Sequence, residues 1–295
     1  MAVSRPSRNG PHIDADLIRR VVSSAVLAPA ALLLAWAGDG YFAFGLVLLG
    51  LVVMVEWFRM IAVPWRSIAF LVAVGALAGA ALVTFFRDVA SAVALLLAGV
   101  AMTGLAVTTV TAAGRPRRGV RAWTAGGLAY AGFGVVAFMA LRQGERGFLV
   151  VLLLFAVGWA TDILAFFVGR TFGGPKLWPS VSPKKTWSGA IGGLAAGGVA
   201  GWLLMWAAGV SVSTLGVAVF LALSIVAQLG DLLESGAKRR FGLKDSGRLI
   251  PGHGGLMDRV DGILAAGVLA LIVGVAANAP GGPSAGFFSV IGAGG

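Results

Sequence analysis

The sequence predicts an all-α polytopic membrane protein of about nine transmembrane helices, with a cytoplasmic N-terminus and an outer C-terminus. Three observations carry this. Only 12% of the 295 residues are charged, about half the roughly 25% of a soluble domain. Mean hydropathy is +0.92, and whole runs, such as Val89 to Val110, hold no charge. The basic residues are distributed with a strong bias to one side. Apolar runs of about 20 residues cross lipid as helices because a helix satisfies its own backbone there.

The candidate spans, in order, are 21–38, 41–60, 67–86, 89–111, 123–141, 147–169, 188–208, 211–233 and 262–279. The first follows Arg19 and Arg20 and the second closes at Arg59. Arg66 and Arg87 bracket the third, and Asp88 precedes the fourth. Arg121 and Arg142 flank the fifth, and Arg146 and Arg170 the sixth. Lys184 and Lys185 precede the seventh. The eighth runs into a charged stretch that ends where the ninth begins. Residues 1–20 read as a cytoplasmic N-terminal segment, 21–279 as a single transmembrane catalytic domain, and the Gly- and Ala-rich residues 280–295 as a flexible tail. No cleavable signal peptide is expected around His12, since its small-residue site would fall inside the first span.

Of the 23 basic residues, only Arg87, Arg142 and Arg146 fall on the outer side of this topology. The positive-inside rule therefore orients the chain N-in and C-out, and places the loops 170–187 and 234–261 in the cytoplasm. The net charge of +11 reads as topology determinants and anionic-lipid contacts rather than a nucleic-acid surface. The absence of cysteine excludes disulfides and thiolate metal sites. The seventh span carries Gly193, Gly197 and Gly201, a spacing that lets helices approach closely. That stripe fits packing within the chain or a homodimer face.

The stretch from Ser235 to Asp261 concentrates the chemistry. It reads SGAKRRFGLKDSGRLIPGHGGLMDRVD and follows Asp231 and Glu234. Charges are costly near lipid and tend to mark sites. If the eighth helix continues, Glu234, Ser235 and Lys238 share a face with Asp231. Asp258 and Asp261, three residues apart, share another. Two helix ends that bring carboxylates to one membrane surface suit a hard cation such as Mg²⁺. Pro251, Gly252, His253, Gly254 and Gly255 make a turn whose backbone can approach a ligand. Lys238, Arg239, Lys244, Arg248 and Arg259 supply charge suited to phosphate. Together these features point to metal-assisted phosphoryl or nucleotidyl transfer.

The spaced pattern S-x-x-K-R-x4-K-D-x-G-x2-I-P-x-H-G-G-x2-D-R-x-D, complete from Ser235 to Asp261, resembles the motif of the bacterial phosphatidate cytidylyltransferases, or CDP-diacylglycerol synthases. QLGDLLES, Gln228 to Ser235, and SPKKTW, Ser182 to Trp187, also resemble that family. The resemblance implies transfer of the cytidylyl group of CTP to phosphatidic acid, with pyrophosphate leaving, in the bacterial inner membrane. It implies that Asp231, Asp258 and Asp261 hold Mg²⁺, as one ion or two. Lys238 would then act at the catalytic centre. Ser235, Arg239, Lys244, Asp245, His253, Arg259, Lys184, Lys185 and Asp162 would bind substrate.

The chain departs from the family's pattern around Asp162. Ile163, Leu164 and Phe166 stand where members usually carry small or hydroxylic residues and a tyrosine, and Ser188 stands where they usually carry glutamate. Glu56, with Arg59 three residues on, reads equally as a structural acid. Two other functions fit the charged positions: a CTP-dependent transferase acting on another lipid phosphate, and a secondary transporter coupled through Asp162, Asp231 and Glu56. The concentration of charge in one C-terminal stretch favours the transferase, since transporters usually pair sites across repeated halves.

Overall fold

The computed structural model describes residues 15–107, 119–247, 249 and 254–292, with side chains from residue 25 onward. The elements are α1 (Ala15–Trp36), α2 (Asp39–Met60), α3 (Ile68–Phe85), α4 (Val89–Ala106), α5 (Val120–Arg142) and α6 (Gly147–Phe172). A hairpin of β1 (Lys176–Trp178) and β2 (Ser182–Thr186) follows, then α7 (Trp187–Ala207), α8 (Thr214–Arg240), α9 (Met257–Ala276) and α10 (Pro283–Ile291). The eight helices α2 to α9 are long and apolar enough to cross a membrane, and α1 adds the apolar stretch Ala25–Trp36.

Short polar side chains start several of these helices. Ser67, Asp88, Thr186 and Ser213 each accept a backbone N–H from the first turn of α3, α4, α7 and α8. Those N–H groups have no partner within the helix, so the caps fix where each helix begins.

Helix α5 is the central post, touching α2, α3, α4 and α9. Its glycines make this possible. A Cβ at Gly127 would stand 2.5 Å from Trp57, one at Gly132 2.7 Å from Leu96, and one at Gly134 2.8 Å from Leu264. In lipid the hydrophobic effect does not drive helices together, so such close packing carries the association.

The glycine stripe of α7 is engaged inside the chain. A Cβ at Gly193 would lie 2.7 Å from the carbonyl oxygen of Thr161, one at Gly197 2.5 Å from Thr161 Oγ1, and one at Gly201 2.9 Å from Phe220. Thr161 and Ser224 hydroxyls, 2.8 Å apart, link α6 to α8 beside it. This stripe therefore joins α6, α7 and α8.

Three differences from the sequence expectation position the site. Helix α8 continues through Arg240 and α9 begins at Met257, so the acidic residues expected at span ends stand on helices. The loop 170–187 folds into an antiparallel hairpin, with Lys176 opposite Thr186 and Trp178 opposite Ser182 across a bulge. Residues 283–291, read as part of a flexible tail, form α10. Phe287 and Ile291 are fully buried there, and Ser284 Oγ donates to the carbonyl of Gln143 at 2.6 Å.

Candidate active site

Three carboxylates converge between α8 and α9. One ligand oxygen from each of Asp231, Glu234 and Asp261 lies within 4.8 Å of the others. Helical spacing explains the first two, because residues three apart share a face. Asp261 reaches them from the second turn of α9, where Gly230 and Gly262 let the two helices meet. A Cβ at Gly230 would stand 2.9 Å from the Asp261 carbonyl oxygen, and one at Gly262 2.8 Å from that of Ala227.

Glu234 is fully buried. Lys238 Nζ pairs with its Oε2 as an ion pair at 2.6 Å. Beyond that pair neither oxygen has a hydrogen-bond partner among the described residues. The Tyr130 hydroxyl, on α5, is likewise buried with no hydrogen-bond partner among the described residues and lies within electrostatic reach of Asp261, Glu234 and Asp231. Buried polar groups are normally satisfied, so the cluster has unused capacity for a ligand.

Asp258 is placed differently from Asp231 and Asp261, with which the sequence grouped it. Its oxygens accept from Lys238 Nζ at 2.6 Å, Ser246 N at 3.0 Å, Ser246 Oγ at 2.9 Å and Gly255 N at 2.8 Å. Its oxygens are engaged by Lys238 of α8 and by the loop between α8 and α9. Gly254 and Gly255 allow this approach: Gly254 has φ +84°, and a Cβ at Gly255 would stand 2.0 Å from Ser246 Oγ. Lys238 bridges Glu234 and Asp258, 2.6 Å from each.

The hairpin reaches the cluster through Lys185, whose Nζ donates to Asp231 Oδ2. Lys184 is exposed. Ser235 Oγ donates to Asp231 Oδ1 at 3.2 Å. Arg239 Nε and Nη1 donate weakly, at 3.4 Å, to the carbonyls of Val181 and Leu243, tying the hairpin turn to the end of α8. Lys244, Asp245 and Arg259 are exposed. His253 lies outside the described residues, as does Arg248.

Asp162 stands on an open face of α6, within electrostatic reach of Asp231, Lys185 and Arg259. Its neighbours Ile163, Leu164 and Phe166 are exposed. Ser188 Oγ donates to the Gly173 carbonyl and so joins the start of α7 to the end of α6.

Sequence reasoning missed the place of two acids, one in the cluster and one behind it. The sequence places Glu234 only on the helix face of Asp231, and that three-residue spacing is the available signal. Glu56, on α2, accepts the N–H groups of Leu256 and Met257. Nothing local in the sequence announces that contact.

A helical membrane protein with buried carboxylates between two spans, ringed by lysine and arginine, is built as an enzyme of phosphate-group transfer. The chain belongs to the cytidylyltransferase family, which it matches over residues 18–276. It is 45% identical to the phosphatidate cytidylyltransferase of Brucella suis over 278 residues, which is 93% of this chain and 99% of the relative. The Brucella melitensis protein of the same name matches over the same shares. That of Staphylococcus haemolyticus is 44% identical over 138 residues, 46% of this chain and 52% of the relative.

Proposed function

We propose that this enzyme transfers the cytidylyl group of CTP to phosphatidic acid, giving CDP-diacylglycerol and pyrophosphate at the cytoplasmic face of the bacterial inner membrane. The observation that carries the reading is the juxtaposition of the Asp231, Glu234 and Asp261 carboxylates with Lys185 in a chain of this family. A phosphatidate oxygen attacks the α-phosphorus of CTP, forming one P–O bond as the bond to the β-phosphate oxygen breaks. The electron pair leaves with pyrophosphate. A phosphate monoester with a second pKa near 6 is already largely ionised at about pH 7, so the nucleophile needs no dedicated base. Catalysis then rests on alignment and charge neutralisation.

The site fits a divalent cation. Its donors are all carboxylate oxygens, the chemistry Mg²⁺ selects. Glu234 is buried with no hydrogen bond accepted among the described residues. Three carboxylates so close repel one another; Lys185 and Lys238 offset part of that repulsion, and a bound cation would offset more. Asp231, Glu234 and Asp261 would hold the ion, which when bound supplies Lewis-acid neutralisation of phosphate charge. Asp258 would hold the loop beside it. Lys185 keeps Asp231 oriented and presents positive charge to the phosphates. Arg259, Lys244 and Arg239 extend that positive surface, while Lys238 neutralises the buried Glu234 and Asp258. The open face of α6 at Asp162 gives the lipid headgroup lateral access.

Incubating purified protein with labelled CTP and a panel of lipid phosphates tests the proposal. Phosphatidic acid is expected to give labelled lipid in the presence of Mg²⁺. Preference for a prenyl or polyprenyl phosphate would overturn the substrate assignment.

A further inference from the structure

Glu56 is a buried acid with no part in the transfer described above. It stands on α2 at 4% exposure, 200 and 201 residues from its partners in sequence. Oε1 accepts the N–H of Leu256 at 3.0 Å, and Oε2 accepts that of Met257 at 2.8 Å. These are N–H groups at the start of α9, where Leu256 offers no side-chain cap. An anionic acceptor is most stabilising at a helix N-terminus, and here it comes from a different helix.

The same carboxylate meets an earlier segment of the loop. Ser246 Oγ lies 3.3 Å from Glu56 Oε2 and 2.9 Å from Asp258 Oδ2. A hydroxyl has one proton, so Ser246 donates to one acid at a time, and Asp258 is the nearer. A Cβ at Gly247 would stand 2.6 Å from Glu56 Oε1, and one at Gly255 2.7 Å from Oε2. Two segments of the loop joining α8 to α9, at Ser246–Gly247 and at Gly255–Leu256, therefore converge on Glu56.

We propose that Glu56 is a positioning residue for the transfer site. It fixes the first turn of α9 together with the loop segments at Ser246–Gly247 and Gly255–Leu256, and through that turn it sets the Asp261 carboxylate against Asp231 and Glu234. The kinetic consequence rests on the cytidylyltransferase reading, whereas the anchoring does not.

Glu56→Gln tests this with two readouts. The amide keeps the size but has one acceptor oxygen in place of two. Hydrogen–deuterium exchange of the purified protein should show the Leu256 and Met257 amides exchanging roughly tenfold faster or more, with α3 and α4 unchanged. In the same variant kcat should fall about tenfold or more and the Mg²⁺ concentration for half-maximal activity should rise. Gly247→Ala displaces the Glu56 carboxylate without removing its charge, and should reproduce both effects. It carries the comparison if Glu56→Gln does not fold. Unchanged exchange at Leu256 and Met257 would overturn the anchoring. Faster exchange with kcat and Mg²⁺ dependence within about twofold of wild type would overturn the link to the site. A wild-type protein that makes no CDP-diacylglycerol would sink the reaction instead, and the exchange comparison would still judge Glu56.

Discussion

Lys185 of β2 pairs with Asp231 of α8 across 46 residues of sequence. That pair ties the β1–β2 hairpin to the acidic cluster, while the adjacent Lys184 is exposed. The two lysines are therefore expected to behave differently. Lys185→Gln should lower kcat/KM by a charge-assisted contact, about 1.5–3 kcal/mol. Lys184→Gln should stay within about twofold of wild type. Steady-state kinetics with CTP and phosphatidic acid decide this, and equal losses in both variants would remove the distinction.

The acids divide in the same way. Asp231→Asn, Glu234→Gln and Asp261→Asn should each lower kcat by about a hundredfold or more, because each removes an anionic oxygen from a hard-cation site. A chelator should silence the wild type, and added Mg²⁺ should restore it. Near-normal Mg²⁺-dependent turnover in any variant would take that residue out of the cluster.

Asp258→Asn should show a second signature. It strips a buried partner from Lys238 and an acceptor from Ser246 and Gly255. Breaking a buried charge pair costs about 3–5 kcal/mol. Thermal unfolding in detergent should shift markedly for this variant and much less for Asp261→Asn. Equal shifts would contradict the assignment of Asp258 to loop support.

Packing on α7 gives a prediction independent of chemistry. A Cβ at Gly193 would collide with a backbone oxygen, which cannot turn aside as a side chain can. Gly193→Ala should destabilise by about 1–3 kcal/mol through overpacking. Gly75→Ala on α3, where a Cβ would meet nothing within 4 Å, should be neutral or stabilise by up to about 1 kcal/mol. Thermal unfolding of the two variants side by side checks this.

The chain has no cysteine, so single cysteines report topology cleanly. Lys244→Cys should react only with reagent supplied from the cytoplasm, and Glu145→Cys only from outside. Labelling of position 244 from outside intact cells would reverse the orientation and put the site out of reach of cytoplasmic CTP.

Much of this architecture was legible because lipid imposes a local rule: each span must be apolar and about 20 residues long. Asp231 and Asp261 were legible for the complementary reason, since charge at the end of a span is costly. Glu234 was obscured by Lys238 four residues on, a spacing equally natural for a simple surface pair. Asp258 and Asp261 looked equivalent at three-residue spacing. They separated only when the loop folded back and Ser246 and Gly255 claimed Asp258. The role of Glu56 and the helix at Phe287 depend on contacts between distant segments, which no local pattern encodes. The hairpin at Lys176–Thr186 was hidden by its short strands and by Pro183, an unfavourable strand residue.

The central claim is that this site moves a cytidylyl group, and the fate of label from CTP tests it most directly. Purified protein is given phosphatidic acid, Mg²⁺ and CTP labelled at either the α- or the γ-phosphate. The account predicts α-label in the lipid, γ-label in pyrophosphate, and neither product with Asp261→Asn. Transfer of γ-label to the lipid, or lipid labelling that persists in Asp261→Asn, would contradict it.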